Sequence, residues 1–192
     1  MLVDFQNAFV RIVTDARSRQ RFFRDPDELL ADFSLGEQER AALRALPRDA
    51  IERYAHSLVA KRWDQVQRIV PLTLRVCPHL GVEYRAWALE HPARVSEMRL
   101  SPGAAEALRA HDALRSVLDD ESQASYAADL WSFEVLRAAA RGDGQARTLA
   151  SRFPIVEIAR EIESGLLPID PAPDATEVVF DGPRVRWRRR CS

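Results

Sequence analysis

The sequence predicts a mainly α-helical protein, in which an N-terminal helical bundle is followed by a small C-terminal α+β region containing a hairpin. Three observations predict it. Apolar residues recur at intervals of three and four over the first two thirds of the chain, the run GDGQ at 142–145 interrupts this pattern, and two alternating segments follow. A chain of 192 residues is long enough to bury a core. We expect a helical domain over residues 1–141 and a small α+β domain over residues 142–192.

Local signals place the first three helices. From Phe5 onward, the apolar spacing keeps one helical face buried. Asp25 is a good N-cap, and Pro26 follows it at the first helical position, where a missing N–H has no cost. Ser34 stands three residues before Glu37, which predicts a capping box at the start of the third helix.

Longer helices follow in the middle of the chain. A broad apolar stripe over residues 48–70 predicts the longest one, and Pro71 is expected to kink or stop it. Similar spacing predicts three more helices, over residues 82–90, 102–118 and 122–140.

The C-terminal region has a different pattern. The segment RTLASRF predicts a short strand, and PIVEIAREIES predicts a short helix with Pro154 near its first turn. The segments TEVVF and RVRWR alternate around Asp181 and Gly182, which predicts a hairpin, although Pro183 makes a plain two-residue type I′ turn less favourable.

The second strand of this hairpin has two unlike faces. Alternation places Val185 and Trp187 on one face, which we expect to pack on the preceding helix. The opposite face then carries Arg184, Arg186 and Arg188.

The charge of the chain is uneven. Residues 176–192 carry five arginines against two acidic residues, although the net charge of the whole chain is −1. The rest of the chain is therefore slightly acidic and offers no broad basic face for a nucleic acid. The arginines favour a local contact with acidic residues of a peptide or a partner protein.

The sequence assigns no catalytic residue and no metal ligand. The four histidines lie on separate elements, and the pair Cys77 and His79 lacks the further ligands of a zinc site. No glycine-rich phosphate loop is present. No apolar run approaches the roughly 20 residues that cross a bilayer, and the first residues do not form a signal peptide. We expect a cytoplasmic protein with no cofactor of its own and no membrane partner.

Two segments resemble a known family. They are RFFRDPDELLADFSLGEQERAAL and RYAHSLVAKRWDQVQRIVPLTLRV, within residues 19–76. Both are similar to the partner proteins of multinuclear non-haem iron-dependent oxidative enzymes, which modify ribosomally made peptides. The shared pattern is an aromatic residue before Asp25-Pro26, Leu35, a glutamate before Leu43, Arg53-Tyr54, Arg62 and Pro71-Leu72-Thr73.

The resemblance implies a non-catalytic subunit in a heterodimer with an iron enzyme, which would hold the iron and perform the oxidation. It also implies that the C-terminal region is of winged-helix type, like a RiPP recognition element (RRE-like), to which the leader of a precursor peptide adds a strand. The subunit would present the cysteine-containing core of that peptide to the iron site. Family chemistries include formation of oxazolone and thioamide groups and excision of a cysteine β-carbon. The expected peptide contacts are Val178, Val179, Phe180, Val185, Arg186 and Arg188.

Other functions stay open at this stage. A winged-helix terminus with basic residues also occurs in nucleic-acid-binding proteins. The DP and leucine pattern also occurs in small helical subunits of ring-opening dioxygenases, which leaves an accessory subunit of another oxygenase as an alternative, as well as an independent enzyme. Candidate contacts with a partner enzyme are Arg17, Arg19, Arg21, Phe22 and Phe23.

Overall fold

The computed structural model describes residues 2–93, 100–119 and 124–190. Within them lie the helices α1 (Leu2–Thr14), α2 (Ala16–Arg24), α3 (Pro26–Leu30), α4 (Glu37–Arg44), α5 (Arg48–Val66), α6 (Pro71–Val76), α7 (Leu80–Glu90), α8 (Pro102–Arg109), α9 (His111–Leu118), α10 (Ala127–Asp143) and α11 (Ile155–Glu163). The strands are β1 (Arg147–Ser151), β2 (Thr176–Asp181) and β3 (Arg184–Arg189). The prediction of a mainly helical protein with a small C-terminal antiparallel sheet is confirmed.

The chain forms two compact units. The first contains residues 1–61 and 85–94, and the second contains residues 62–84 and 95–192. The sheet therefore shares a unit with α6 and with α8 to α11. The domain boundary between residues 141 and 142 stays a prediction.

The core of the first unit forms from the apolar faces of its short helices. The predicted N-cap of α3 at Asp25 is confirmed. The Asp25 carboxylate accepts hydrogen bonds from the N–H groups of Asp27 at 3.1 Å and Glu28 at 3.2 Å, and Pro26 is the first residue of α3. This cap starts a helix whose last two residues are buried. The buried residues of this core are Ala8, Ile12, Val13, Phe22, Leu29, Leu30, Leu35, Leu43 and Ile51.

The capping box predicted at Ser34 is wrong. Gly36 is the N-cap of α4, and the carboxylate of Glu39 accepts a hydrogen bond from the Gly36 N–H at 2.8 Å. Leu35 turns into the core, so the chain is still extended where the sequence pattern placed the helix start. The cap therefore forms two residues later than expected.

Pro71 begins a helix instead of only ending one. The long helix α5 ends at Val66, four residues earlier than the apolar stripe predicted, and Pro71 is the first residue of α6. The buried carboxylate of Glu134, on α10, accepts hydrogen bonds from the N–H groups of Leu72 and Thr73, both at 2.8 Å. It also accepts one from the Thr73 hydroxyl at 2.7 Å. A side chain about 60 residues away therefore satisfies the first turn of α6.

Two other helix predictions differ in their limits. The helix predicted over residues 102–118 is two helices, α8 and α9, separated at Ala110. The predicted start of the next helix at Ser122 lies outside the described residues, and α10 ends at Asp143. Gly144 closes α10 with a φ of +71°, a left-handed conformation that glycine adopts without strain.

The sheet has the strand order β1-β2-β3, so β2 is central, and both pairings are antiparallel. One face of the sheet packs on α10 and α11. Phe180 on β2 meets Phe133 on α10 edge-to-face, with 5.5 Å between the ring centroids. The buried residues of this core are Leu72, Tyr126, Leu130, Phe133, Ala140, Leu149, Phe153, Ile155, Val156, Ile158, Ala159, Ile162, Val178 and Phe180.

A buried carboxylate connects α10 to the end of β1. Asp129 is 0% exposed, and it accepts hydrogen bonds from the Ser151 hydroxyl and the Arg152 N–H, both at 2.8 Å. The guanidinium of Arg115 lies 3.1 Å from its other oxygen. The sheet is thus anchored to α10 by polar contacts as well as by the apolar core.

Candidate functional site

The free main-chain edge of β3 is the first feature of the candidate site. Among the described residues, β3 pairs only with β2, and the Arg190 N–H donates to the carbonyl oxygen of Ala175 at 2.7 Å. In an antiparallel ladder, residues bond to the partner strand at every second position. The main-chain N–H and C=O groups of Arg188, Arg186 and Arg184 therefore form hydrogen bonds with β2. The residues whose N–H and C=O groups point away from β2 are Val185, Trp187 and Arg189, and we call these groups the β3 edge.

The inner face of β3 covers α11. Val185 is half-buried against the core of the sheet. Trp187 is 39% exposed, and its indole N–H donates to the Glu157 carboxylate at 3.2 Å. The Arg160 guanidinium lies 4.8 Å from the centre of the Trp187 ring, in a cation–π contact. The expected direction of Val185 and Trp187, toward the preceding helix, is the one seen here.

The outer face of β3 carries Arg184, Arg186 and Arg188, all exposed. The Arg188 guanidinium contacts the Glu177 carboxylate on β2, at 2.5 Å. Arg186 is opposite Val179 and makes no ion pair within the described part of the chain. A shallow groove of about 270 Å³ on this side of the hairpin is lined by Glu177, Val179, Arg186, Trp187 and Arg188. The positive charge available to a ligand therefore comes mainly from Arg184 and Arg186.

The hairpin turn decides which side chains lie opposite each other. The loop consists of Gly182 and Pro183, with Asp181 paired to Arg184, so the turn lies one residue later than the predicted Asp181-Gly182 centre. Gly182 has a φ of +55°, which a tight hairpin turn uses and other residues rarely adopt. This register places Glu177 opposite Arg188. That pairing depends on the position of the turn, which the sequence pattern alone does not define.

The six predicted peptide contacts lie in one hairpin but on two faces. Val178 and Phe180 are 0% exposed, because alternation along β2 turns both toward α10 and α11. As the central strand, β2 is paired on both sides and offers no free edge. Arg186, Arg188 and Val179 are the members of the set on the outer face. Val185 contributes to the site through its main chain, on the β3 edge.

A second constellation resembles a Ser-His-Asp arrangement. His111 lies between Asp112, whose carboxylate is 2.8 Å from Nδ1, and Ser132, whose hydroxyl is 3.0 Å from Nε2. Ser132 is 0% exposed, and its hydroxyl also contacts the carbonyl oxygen of Ala128 and the guanidinium of Arg115. A nucleophile needs to reach a substrate and to give its proton to the base. We therefore assign these contacts to packing between α9 and α10.

The remaining candidates for chemistry are single residues. Cys77 is 2% exposed, and burial raises the pKa of its thiol, which disfavours the reactive thiolate. His79 is exposed. Across residues 2–93, 100–119 and 124–190, no three His, Cys, Asp or Glu side chains lie close enough to hold a metal ion. In the same ranges, no helix has the length and apolar character that crossing a membrane requires.

The residues considered on α2 for contact with a partner enzyme differ in exposure. Arg19 and Phe22 are buried, Arg21 and Phe23 are half-buried, and Arg17 is exposed. Packing within the first unit therefore accounts for Arg19 and Phe22. Arg17 is the member of the group that α2 leaves on the surface.

No protein-family model, curated protein or solved structure matched this chain. The interpretation of the β3 edge therefore depends on its own geometry and on the resemblance within residues 19–76.

Proposed function

We propose that this chain is a non-catalytic partner subunit that binds the leader of a ribosomally made precursor peptide and presents the peptide's cysteine-containing core to an iron-dependent oxidative enzyme. The observation that carries the proposal is the β3 edge, because its unpaired main-chain groups suit the addition of an extended peptide as a fourth strand. The enzyme partner, and the iron that it would hold, follow from the resemblance within residues 19–76. The chain supplies binding and orientation, and the partner supplies the oxidation.

The β3 edge favours a peptide strand over self-association. β3 is six residues long, and its outer face carries arginines. Charged side chains on an edge strand oppose pairing with another copy of the same edge, because like charges then come together. An acidic strand meets no such repulsion. The edge is therefore selective for an extended segment of opposite charge.

The two faces of β3 specify the pattern of the bound peptide. Side chains of an added strand alternate between the faces, as those of β3 do. One set lies beside Arg184 and Arg186, where aspartate or glutamate is favoured. The other set lies beside Trp187 and Arg160, where an apolar or aromatic side chain is favoured. We expect a leader in which acidic and apolar residues alternate.

The order of elements in the C-terminal region agrees with the RRE-like interpretation. The strand β1 is followed by α11 and then by the hairpin of β2 and β3. This is the strand, helix and hairpin order that the resemblance implies for a winged-helix remnant. It supports the proposal that the region recognises a peptide.

Removal of a single edge N–H tests strand addition. Arg189→Pro removes an outward-facing N–H, whereas Arg189→Ala removes the same side chain and its contact with Asp174 but keeps the N–H. Both variants leave the hydrogen bonds between β2 and β3 in place. We expect Arg189→Pro to bind the precursor peptide more weakly than Arg189→Ala in a fluorescence anisotropy titration. Equal affinities of the two variants would exclude the β3 edge as the binding surface.

Charge reversal tests the role of the outer face. Arg186→Glu is expected to weaken binding of an acidic leader about tenfold, because an attractive contact becomes repulsive. Arg188→Glu is a poorer test, since it also places a second carboxylate opposite Glu177 and weakens the hairpin itself. Arg17→Glu, on the exposed side of α2, is the matched control and should bind the peptide like the wild type.

Co-expression tests the enzyme partnership. We expect this chain to co-elute in size exclusion with an iron enzyme of the proposed kind, and to increase that enzyme's turnover of the precursor peptide. Separate peaks and unchanged turnover would contradict the proposal. Salt-sensitive binding of duplex DNA at sub-micromolar protein would support the nucleic-acid alternative instead.

A further inference from the structure

The second unit contains a cavity of about 380 Å³ between α6, α10 and α11. None of the residues that line it belongs to β3. Its charged lining consists of four arginines and two glutamates: Arg68, Arg75, Arg137, Arg141, Glu134 and Glu163.

The two glutamates do not balance the four arginines. Glu134 is occupied by the first turn of α6, where it accepts three hydrogen bonds. Glu163 lies 3.8 Å from Arg137, a long separation for an ion pair. Arg75 is partly used by the chain, since it donates to the carbonyl oxygen of Ile162 at 2.5 Å. The cavity therefore keeps an excess of two positive charges when Glu134 is ionised, and of three when it is protonated.

Two arginines of the cavity have no acidic partner. Arg68 and Arg141 are exposed and make no ion pair among the described residues. The Nε of Arg137 also has no hydrogen-bond partner there, but it is fully buried and lies beyond the reach of a ligand in the cavity. A group of like charges is unfavourable, and a bound oxyanion reduces the repulsion and accepts charge-assisted hydrogen bonds from Arg68 and Arg141.

We propose that this cavity binds a small organic dicarboxylate. Two carboxylates match the two arginines that have no acidic partner, Arg68 and Arg141, and the planar guanidinium group bonds a carboxylate through two parallel N–H groups. Ile69, Leu72 and Ala138 form an apolar part of the wall, which suits the hydrocarbon spacer between the two carboxylates better than it suits inorganic phosphate. The proposal does not depend on peptide binding at the β3 edge.

An NMR titration of the full chain tests it, with glutarate as the probe at constant ionic strength. We expect saturable changes in the amide resonances of residues 68–75 and 134–141. Arg68→Gln and Arg141→Gln alter exposed side chains, and each should weaken binding about tenfold because it removes a charge-assisted contact. Arg17→Gln in the first unit is the control and should bind glutarate with unchanged affinity.

Two further probes distinguish the ligand class. Butyrate has one carboxylate and is expected to bind about tenfold more weakly than glutarate, and phosphate is expected to bind more weakly than either, because it makes no use of the apolar wall. Resonance changes spread over the whole chain, or equal effects of Arg141→Gln and Arg17→Gln, would overturn the assignment of the cavity. Preferential binding of phosphate would overturn the assignment of a dicarboxylate.

Discussion

Glu134 makes the stability of this protein dependent on pH near neutrality. Burial raises the pKa of its carboxyl group from an ordinary value of 4.5 to about 7, even though three donors on α6 and the nearby Arg137 favour the charged form. The folded state therefore holds a proton that the unfolded chain has already released between these two pH values. Stability is greatest below pH 4.5 as far as this group is concerned, and it falls as the pH rises toward 7. Since each pKa unit corresponds to about 1.4 kcal/mol, the full loss is about 3 kcal/mol.

Chemical denaturation at a series of pH values between 5 and 8, at constant ionic strength, measures this effect. Wild-type protein should lose free energy of unfolding over this range relative to Glu134→Gln, whose amide resembles the protonated acid and does not titrate. Glu161→Gln, on the exposed side of α11, is the matched control and should follow the wild-type curve. A constant difference between wild type and Glu134→Gln across the series would refute the argument, since Glu134 would then be charged throughout.

Five other substitutions test the fold. Phe180→Ala should lower the free energy of unfolding in urea by about 3–5 kcal/mol, because it removes a wholly buried ring from the core of the sheet. Asp25→Ala should lower the free energy of unfolding by about 1 kcal/mol through loss of the α3 cap, whereas Ser34→Ala should leave it unchanged. A larger loss for Ser34→Ala than for Asp25→Ala would indicate that Ser34 does cap α4. Gly103→Ala should lower the free energy of unfolding by about 1–3 kcal/mol, because the new Cβ would lie 2.5 Å from the main-chain carbonyl oxygen of Gln65, near the end of α5. Gly36→Ala should have a smaller effect, because its new Cβ would meet no atom closer than 3.7 Å.

Local signals in the sequence were sufficient to predict those parts of the structure that depend only on residues adjacent in the chain. The cap at Asp25, the strand β1 and the helix α11 each follow from a few consecutive residues. The prediction of a helix cap at Ser34 was wrong because Leu35 is buried in the core, so that α4 begins only after Gly36. A local pattern cannot report such a tertiary contact. The same limit applies to the turn, whose shift by one residue decides the partner of Arg188.

The two candidate sites differ in how far the sequence predicts them. Alternation along β3 is enough to separate Arg184, Arg186 and Arg188 from Trp187, so the outer face is visible in the sequence. The arginine cavity is not visible, because its residues come from three stretches of chain around positions 68–75, 134–141 and 163. The bonds from Glu134 to α6 likewise join residues about 60 positions apart. Only the folded chain brings these groups together.

The carboxylate of Asp129 has a consequence for the exchange of amide protons with solvent. It bonds Ser151 and Arg152 at the end of β1 while it is carried by α10, and Arg115 from α9 completes the group. Opening of α10 therefore releases the end of the sheet in the same event, and we expect the two to be protected to a similar degree. A fragment that begins after α10 lacks this anchor, so the sheet is best studied in the whole chain.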